Sequence, residues 1–167
     1  MANICEITDF TGELSLSVDD FTRVKFDSFR DEYQVTAIYN LLGVELGKLF
    51  LADLDVSGVP VTAKYLAIYN ALAFEENGCN FVSLGIKDYV KRMVYFNFVR
   101  NNSVRVTMGG NTGVRAENGT NLIDGMFVTL AYNKGIRSAH AIQLYVDNNL
   151  SEYPEYNGNY INYDSYL

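Results

Sequence analysis

Residues 83–102, SLGIKDYVKRMVYFNFVRNN, decide the fold of this chain. Their apolar residues recur at the i, i+3, i+4, i+7 and i+8 spacing of one helical face: Ile86, Tyr89, Val90, Met93 and Val94. The charged residues of the same turns cluster on the opposite side: Lys87, Asp88, Lys91 and Arg92. Between Met93 and Val99 nearly every residue is apolar or aromatic. Neighbouring elements should therefore cover this part of the helix on most sides. The stretch predicts a central, largely buried α-helix.

The segment that follows, residues 103–118 (SVRVTMGGNTGVRAEN), is rich in Thr, Gly and Asn. The runs VRVT and VRAE could pair as two short strands around MGGNTG, whose glycines supply the positive φ angles of a tight reversal. The same residues could form an irregular loop, and both interpretations stay open. Either form would be a polar protrusion.

Helices are also predicted before this central element. Asp19 or Asp20 can cap the start of a helix that Gly43 ends. The run VELGKLFLADL, residues 44–54, then predicts a short helix that turns away from the first. After a connector with a glycine and a proline, residues 62–74 predict another helix, closed by ENGCN.

The two ends of the chain differ from this helical middle. Residues 1–18 alternate loosely and predict extended structure or a short hairpin. The last helix should run from Thr120 or Asn121 to about Asn148, with a bend at Gly135. The fold class is therefore mainly α: a bundle of about four to five helices with a short β-hairpin or extended loop insertion and an extended C-terminal tail. Residues 1–149 form one domain, with the insertion near 103–118, and 150–167 form an arm.

Five tyrosines recur every three or four residues in the arm: Tyr153, Tyr156, Tyr160, Tyr163 and Tyr166. Pro154, Gly158 and repeated Asn argue against a stable helix there. Two interpretations remain. The arm could fold back on its own domain, or it could lie across a neighbouring subunit, where tyrosines supply ring area at low cost in side-chain entropy.

The composition favours some classes of protein over others. Twenty acidic and thirteen basic residues give a net charge of -7, the wrong sign for binding by neutralising phosphates. No run of about 18 apolar residues predicts a membrane span, and MANICEITDF lacks the basic and apolar regions of a signal peptide. Cys5 and Cys79 lie far apart without CxxC spacing, which favours reduced thiols in a cytoplasmic product.

No chemical motif predicts an active site. His140 is the single histidine, in a helical context, and neither cysteine has a sequence context that suggests activation. The segment MGGNTGVRAENG lacks the ending of a P-loop and the GxGxxG spacing. The close acidic pairs lie at predicted helix ends or connectors, where capping or solvation explains them. We therefore expect no enzyme, no cofactor and no metal, but a binding or structural protein.

Most of the chain resembles one family, the head-tail connector (adaptor) proteins of tailed bacteriophages, especially those of Bacteroidales gut phages. The resemblance lies in an early helix ending in LLGVELGKLF, the helix LGIKDYVKRMVYFNFVRN, the segment TMGGNTGVRAEN and a last helix before a polar tail. It implies a structural virion protein of the head-tail neck, assembled in the host cytoplasm. Such a protein forms a homo-oligomeric ring, commonly twelvefold, beneath the portal and supports tail attachment.

The resemblance also implies partners and contact residues. The partners would be the portal protein and tail or other neck proteins, with DNA passing through the channel without specific binding and with no membrane contact. The insertion would contact the portal or a neighbouring subunit through Arg105, Thr107, Gly109, Gly110, Thr112, Gly113 and Arg115. The five arm tyrosines would contact a neighbouring subunit. The alternatives are a tail-completion or other neck-ring protein and, in another class, a monomeric small-ligand-binding module or small enzyme.

Overall fold

The computed structural model describes residues 2–16, 20–102, 104–107, 110–113 and 124–157, and only the backbone of residues 21, 102, 104–107, 110–113 and 124–126. Within these ranges the chain forms five α-helices: α1 Asp20–Leu42, α2 Val44–Ala52, α3 Ala63–Tyr69, α4 Gly85–Asn102 and α5 Asp124–Asn148. It also forms two antiparallel hairpins, one of β1 Leu72–Glu76 with β2 Cys79–Ser83 and one of β3 Val104–Thr107 with β4 Gly110–Gly113. The predicted mainly α fold is confirmed.

The helix α4 is the central element that its sequence predicts. The five apolar residues of its predicted face are all buried, and Tyr95 and Phe98 extend the buried surface over the second half. Fully burying an aliphatic or aromatic side chain contributes about 1.5–3 kcal/mol. The amphipathic pattern of this stretch therefore provides a large part of the core.

One charged residue of α4 departs from that pattern. Arg92 was expected on the polar side, but only 4% of it is exposed. Its Nε lies 2.6 Å from a carboxylate oxygen of Asp88, and its Nη2 lies 2.7 Å from Glu13. The N-terminal segment covers this side of α4, so the guanidinium is buried and paired instead of solvated.

The corner between α1 and α2 is also confirmed. Gly43 adopts a φ of +77°, in the left-handed region that favours glycine, and its N–H donates to Tyr39 O at 2.9 Å. The helix α2 then begins at Val44 and buries Leu46 and Phe50. The chain therefore reverses within one residue at this corner.

The helix predicted over residues 62–74 is wrong in its second half. The helix α3 ends at Tyr69, and residues 72–76 form β1. The strands β1 and β2 are joined by Asn77 and Gly78, with φ values of +50° and +76°, and Glu76 is the partner of Cys79. A two-residue turn with both φ angles positive matches the right-handed twist of a hairpin. ENGCN therefore reverses a hairpin and does not close a helix.

The N-terminal expectation is wrong as well. Instead of strands, residues 7–9 and 12–14 form two 3-10 turns. The backbone N–H of Glu6 donates to Asp9 Oδ2 at 2.8 Å, and that of Ile4 donates to Gln34 Oε1 at 3.2 Å. The apolar side chains of this segment are buried against the helices, and these two backbone N–H groups bond to side chains and not to a neighbouring strand.

The helices α1, α4 and α5 pack with alternating direction. Phe26, near the start of α1, contacts Phe98, near the end of α4, with 5.7 Å between ring centroids. Phe96 contacts Tyr132, near the start of α5, at 4.6 Å. Each of these neighbouring pairs is therefore antiparallel. At the other end, Gln143 of α5 donates from Nε2 to the carbonyl of Leu41 at 3.1 Å.

The bundle therefore has two distinct ends. We call the end where α4 finishes and β3 begins the hairpin end, and the end that contains Gly43 and the finish of α5 the corner end. Gly135, where a bend was expected, lies inside the uninterrupted α5, where a Cβ would come within 2.6 Å of the Met93 terminal methyl. The absence of a side chain there allows α4 and α5 to approach closely.

Candidate interaction surfaces

The glycine-rich insertion forms a hairpin at the hairpin end of the bundle. Its strand β3 begins two residues after α4 ends, and in its register Arg105 is the partner of Thr112 and Thr107 the partner of Gly110. Gly113 is the partner of Val104. The second strand is GNTG, and the expected strand VRAE, like Gly109 and Arg115, lies outside the described residues. The insertion therefore takes the hairpin form of the two that the sequence left open, but VRVT pairs with GNTG and the expected pairing with VRAE is wrong.

The first two arm tyrosines belong to the core of their own chain. Tyr153 is fully buried and Tyr156 is 6% exposed. The hydroxyl of Tyr153 donates to the carbonyl of Lys64 at 2.6 Å, while Lys64 Nζ donates to the carbonyl of Glu152 at 3.2 Å. Burial raises the pKa of the Tyr153 hydroxyl. The expected contact with a neighbouring subunit is therefore corrected for these two residues, because their rings fill a site in their own domain.

The described part of the arm ends at the corner end of the bundle. The described part of the chain ends at Asn157, and a Cβ on Gly43 would come within 2.9 Å of Asn157 Oδ1. Tyr160, Tyr163 and Tyr166 lie outside the described residues. For these three tyrosines the contact with a neighbouring subunit stays a prediction.

The two sequence-predicted contact segments leave the bundle at opposite ends. The hairpin follows α4 at one end, and Asn157 lies against Gly43 at the other. The 25 residues of α5 lie between these ends and span about 37 Å at the rise of an α-helix. The two segments are therefore separated by about the length of the bundle.

A cluster of ion pairs joins the N-terminal segment to α4 and α5. Glu13 accepts from Arg92 Nη2 at 2.7 Å and from Lys134 Nζ at 2.5 Å. These two hydrogen bonds, with that of Lys134 first, lower the pKa of Glu13. The sequence does not reveal this cluster, because its members are far apart in the chain. The cluster holds these three segments together, and both carboxylate oxygens of Glu13 accept a hydrogen bond.

Three small pockets are formed by described residues. The first, of about 180 Å³, lies between α1, α4 and α5. The second, of about 290 Å³, is lined by residues that include Glu13, Val99 and Phe127. The third, of about 230 Å³, is lined by residues that include Lys87 and Asp88. His140 is exposed on α5 and lines none of the three.

The groups that carry chemistry are dispersed. Within residues 2–16, 20–102, 104–107, 110–113 and 124–157, no three His, Cys, Asp or Glu residues come together as a metal site. Both cysteines are free thiols, as expected. Burial, with a smaller contribution from Asp9, raises the pKa of the Cys5 thiol to about 12, and Cys79 is exposed in β2.

No helix in the described part of the chain has both the length and the apolar character needed to cross a membrane. A comparison of the chain with protein families, with curated proteins and with solved structures found no match.

Proposed function

We propose that this chain is a structural subunit of a phage neck, a head-tail connector (adaptor) that forms an oligomeric ring beneath the portal. The observation that carries the proposal is the placement of the hairpin and the arm at opposite ends of a rigid helical bundle. A ring subunit in a stack needs one contact toward the portal and others toward its neighbours and the tail. The resemblance of the helices and the TMGGNTGVRAEN segment to connector proteins supports the same proposal.

The ring would close by rotation. Each subunit would present one surface to the neighbour on one side and a different surface to the neighbour on the other, so every interface is heterologous. The family resemblance implies about twelve subunits. Closure of the ring at that number prevents growth into an open filament. Assembly would take place in the host cytoplasm, and the ring would reside in the virion neck.

The charge of the chain fits passage of DNA without binding. With a net charge of -7 per subunit, a ring would carry a strongly negative potential. The phosphates of DNA in the channel would be repelled, which reduces adhesion during packaging and ejection. A channel wall dominated by Lys and Arg in the assembled particle would contradict this part of the proposal.

Attachment to the portal would use the hairpin. Exchange of Arg105 and Arg115 for Glu should weaken binding of the ring to purified portal protein, because these cations would pair with carboxylates of the partner. Arg137→Glu combined with Lys48→Glu, the same change of charge at two exposed positions outside the hairpin, is the matched control and should leave binding unchanged. Equal binding of both variants would count against the role of the hairpin.

Two alternatives remain as competing proposals. A tail-completion or other neck-ring protein would share the ring but would bind tail protein and not the portal, so the same binding assay separates it. A monomeric ligand-binding module or small enzyme would need a suitable pocket. Convergent polar groups in a pocket near His140 would favour it, but His140 lines none of the three pockets described above.

A further inference from the structure

The pocket between α1, α4 and α5 has the chemistry of a receptor for one aromatic ring. It is lined by aromatic residues of all three helices together with a thioether and two amides: Tyr33, Ala37, Asn40, Tyr89, Met93, Phe96, Asn97 and Tyr132. Tyr89 and Met93 are buried, whereas Tyr33, Phe96 and Tyr132 are half-buried. Aromatic side chains and methionine sulfur both make favourable contacts with an inserted ring.

The size of the pocket matches that chemistry. Its volume is about 180 Å³, and an engineered apolar cavity of about 150 Å³ is known to hold benzene. Asn40 and Asn97 add amide groups that can hydrogen-bond a phenolic hydroxyl. A tyrosine ring therefore fits the pocket in volume, and the amides of Asn40 and Asn97 offer partners for its hydroxyl.

We propose that one tyrosine of residues 158–167 inserts its ring into this pocket of the neighbouring subunit. This inference rests on the proposed ring. The last ten residues carry three tyrosines and lie beyond Asn157, the point where the described chain leaves the domain. Ten residues reach at most about 35 Å when extended, enough to cross from one small domain to the next.

The location of the arm supports this occupant. The arm leaves beside Gly43, about one helical turn beyond the pocket residue Asn40, so the arm and the pocket lie toward the same end of α1.

The neighbouring subunit is the occupant that a ring requires. Every subunit carries the same net charge of -7, so subunits repel each other and need an apolar contact to associate. The arm and the pocket are two different surfaces of one chain, which generates the heterologous interface of a closed ring. A chain that filled its own pocket would leave neither surface for a neighbour.

Disulfide trapping between two differently labelled chains tests the inference. In a Cys79→Ser background, a chain with Asn40→Cys is mixed with a chain that carries Tyr160→Cys, Tyr163→Cys or Tyr166→Cys. Cys5 is buried and should not compete for oxidation. We expect a disulfide-linked heterodimer for at least one arm position, several-fold more abundant than when Lys48→Cys, exposed on α2, replaces Asn40→Cys.

Two results would overturn the inference. The first is heterodimer yields no higher than those of the Lys48→Cys control at all three arm positions. The second is a chain carrying both cysteines that closes within itself in preference to linking to a neighbour. The native mass of the same samples separates this inference from the proposed function. A closed oligomer without cross-links refutes only the pocket contact, whereas a monomer without cross-links contradicts both.

Assembly of variants provides an independent test. Tyr160, Tyr163 and Tyr166 exchanged together for Ala should raise the protein concentration needed for half-maximal assembly about tenfold or more. The matched control exchanges Asn159, Asn162 and Ser165 for Ala. On the pocket side, Tyr132→Ala should impair assembly, whereas Phe127→Ala, exposed on the same helix and outside this pocket, should not. Equal effects of each variant and its control would refute the pocket contact.

Discussion

At the residue scale, Tyr153 fixes the start of the C-terminal segment to the domain. Its ring is fully buried, and its hydroxyl donates to the carbonyl of Lys64, 89 residues earlier in the chain. Composition alone did not reveal this role, because Tyr153 and Tyr163 occur in similar polar surroundings in the sequence. What separates them is a site in the fold that receives one ring.

Substitution of Tyr153 should separate the contributions of the hydroxyl and the ring. Tyr153→Phe leaves the Lys64 carbonyl without its donor and should lower the free energy of unfolding by about 1–2 kcal/mol. Tyr153→Ala also removes the ring and should lower it by about 3–5 kcal/mol. Urea unfolding measures both changes. Tyr163→Phe, the same exchange beyond Asn157, is the control and should change little; an equal loss there would refute the distinction.

Glu13 should make stability depend on pH in the acid range. Its pKa in the folded chain lies below the ordinary value of 4.5, because Lys134 and Arg92 donate hydrogen bonds to the carboxylate. A depressed folded pKa adds stability above the unfolded pKa, and that stability is lost as the pH falls through the folded pKa. Glu13→Gln should therefore lower the free energy of unfolding at pH 7, by an amount that shrinks below pH 4.5.

The matched control for Glu13 is Glu45→Gln. Glu45 pairs with Lys48 at 3.6 Å on the exposed surface of α2, and such pairs contribute little to stability. Chemical unfolding of the wild type and both variants at several pH values measures the effect. A difference between wild type and Glu13→Gln that stays constant with pH would contradict the assignment.

At the scale of elements, local periodicity predicted the helices and failed at the β1–β2 hairpin and at the N-terminal 3-10 turns. The helices α1, α2 and α4, and the end of α5, follow from apolar spacing and from Gly43. The β1–β2 hairpin was missed because LAFEE also continues the apolar pattern of α3, although Asn-Gly is a strong signal for a two-residue turn. Its strands are held by contacts distant in sequence, such as Phe74 with Tyr145.

Two glycines with positive φ should respond differently to alanine. Gly78 has a φ of +76° and no atom within 4 Å of an added Cβ, whereas Gly85 has a φ of +87° and the carbonyl oxygen of Tyr69 at 2.3 Å from that Cβ. Gly78→Ala should cost about 1–2 kcal/mol from backbone strain alone. Gly85→Ala should cost about 1–3 kcal/mol more, because the backbone at the start of α4 must move. Equal losses in thermal or urea unfolding would refute the close approach.

At the scale of the whole molecule, the fold places the two predicted contact segments at opposite ends of the helical bundle. Sequence analysis identified both segments from their composition, but their relative position depends on how α1, α4 and α5 pack. The pocket between these helices was also beyond sequence analysis, since its lining combines residues 33–40, 89–97 and 132. Helix directions and side-chain packing are set by distant contacts, which a single sequence does not display.

Two truncations should divide the arm into a structural part and an assembly part. A chain that ends after Asn157 should keep its free energy of unfolding within about 0.5 kcal/mol, because it retains every described core residue. A chain that ends after Asn149 loses the buried Tyr153 and Tyr156 and should be less stable by about 3 kcal/mol or more. Assembly should be lost in both. Unimpaired assembly of the chain ending after Asn157 would refute a role for the last ten residues.

The native mass of the purified chain, measured by light scattering across a concentration series, decides whether the chain forms a closed ring. A connector ring predicts one large species whose mass is a whole multiple of 18.8 kDa and stops growing once the ring has closed. A monomer at every concentration, also after addition of portal protein, would contradict the ring. A mass that keeps increasing with concentration would contradict its closure.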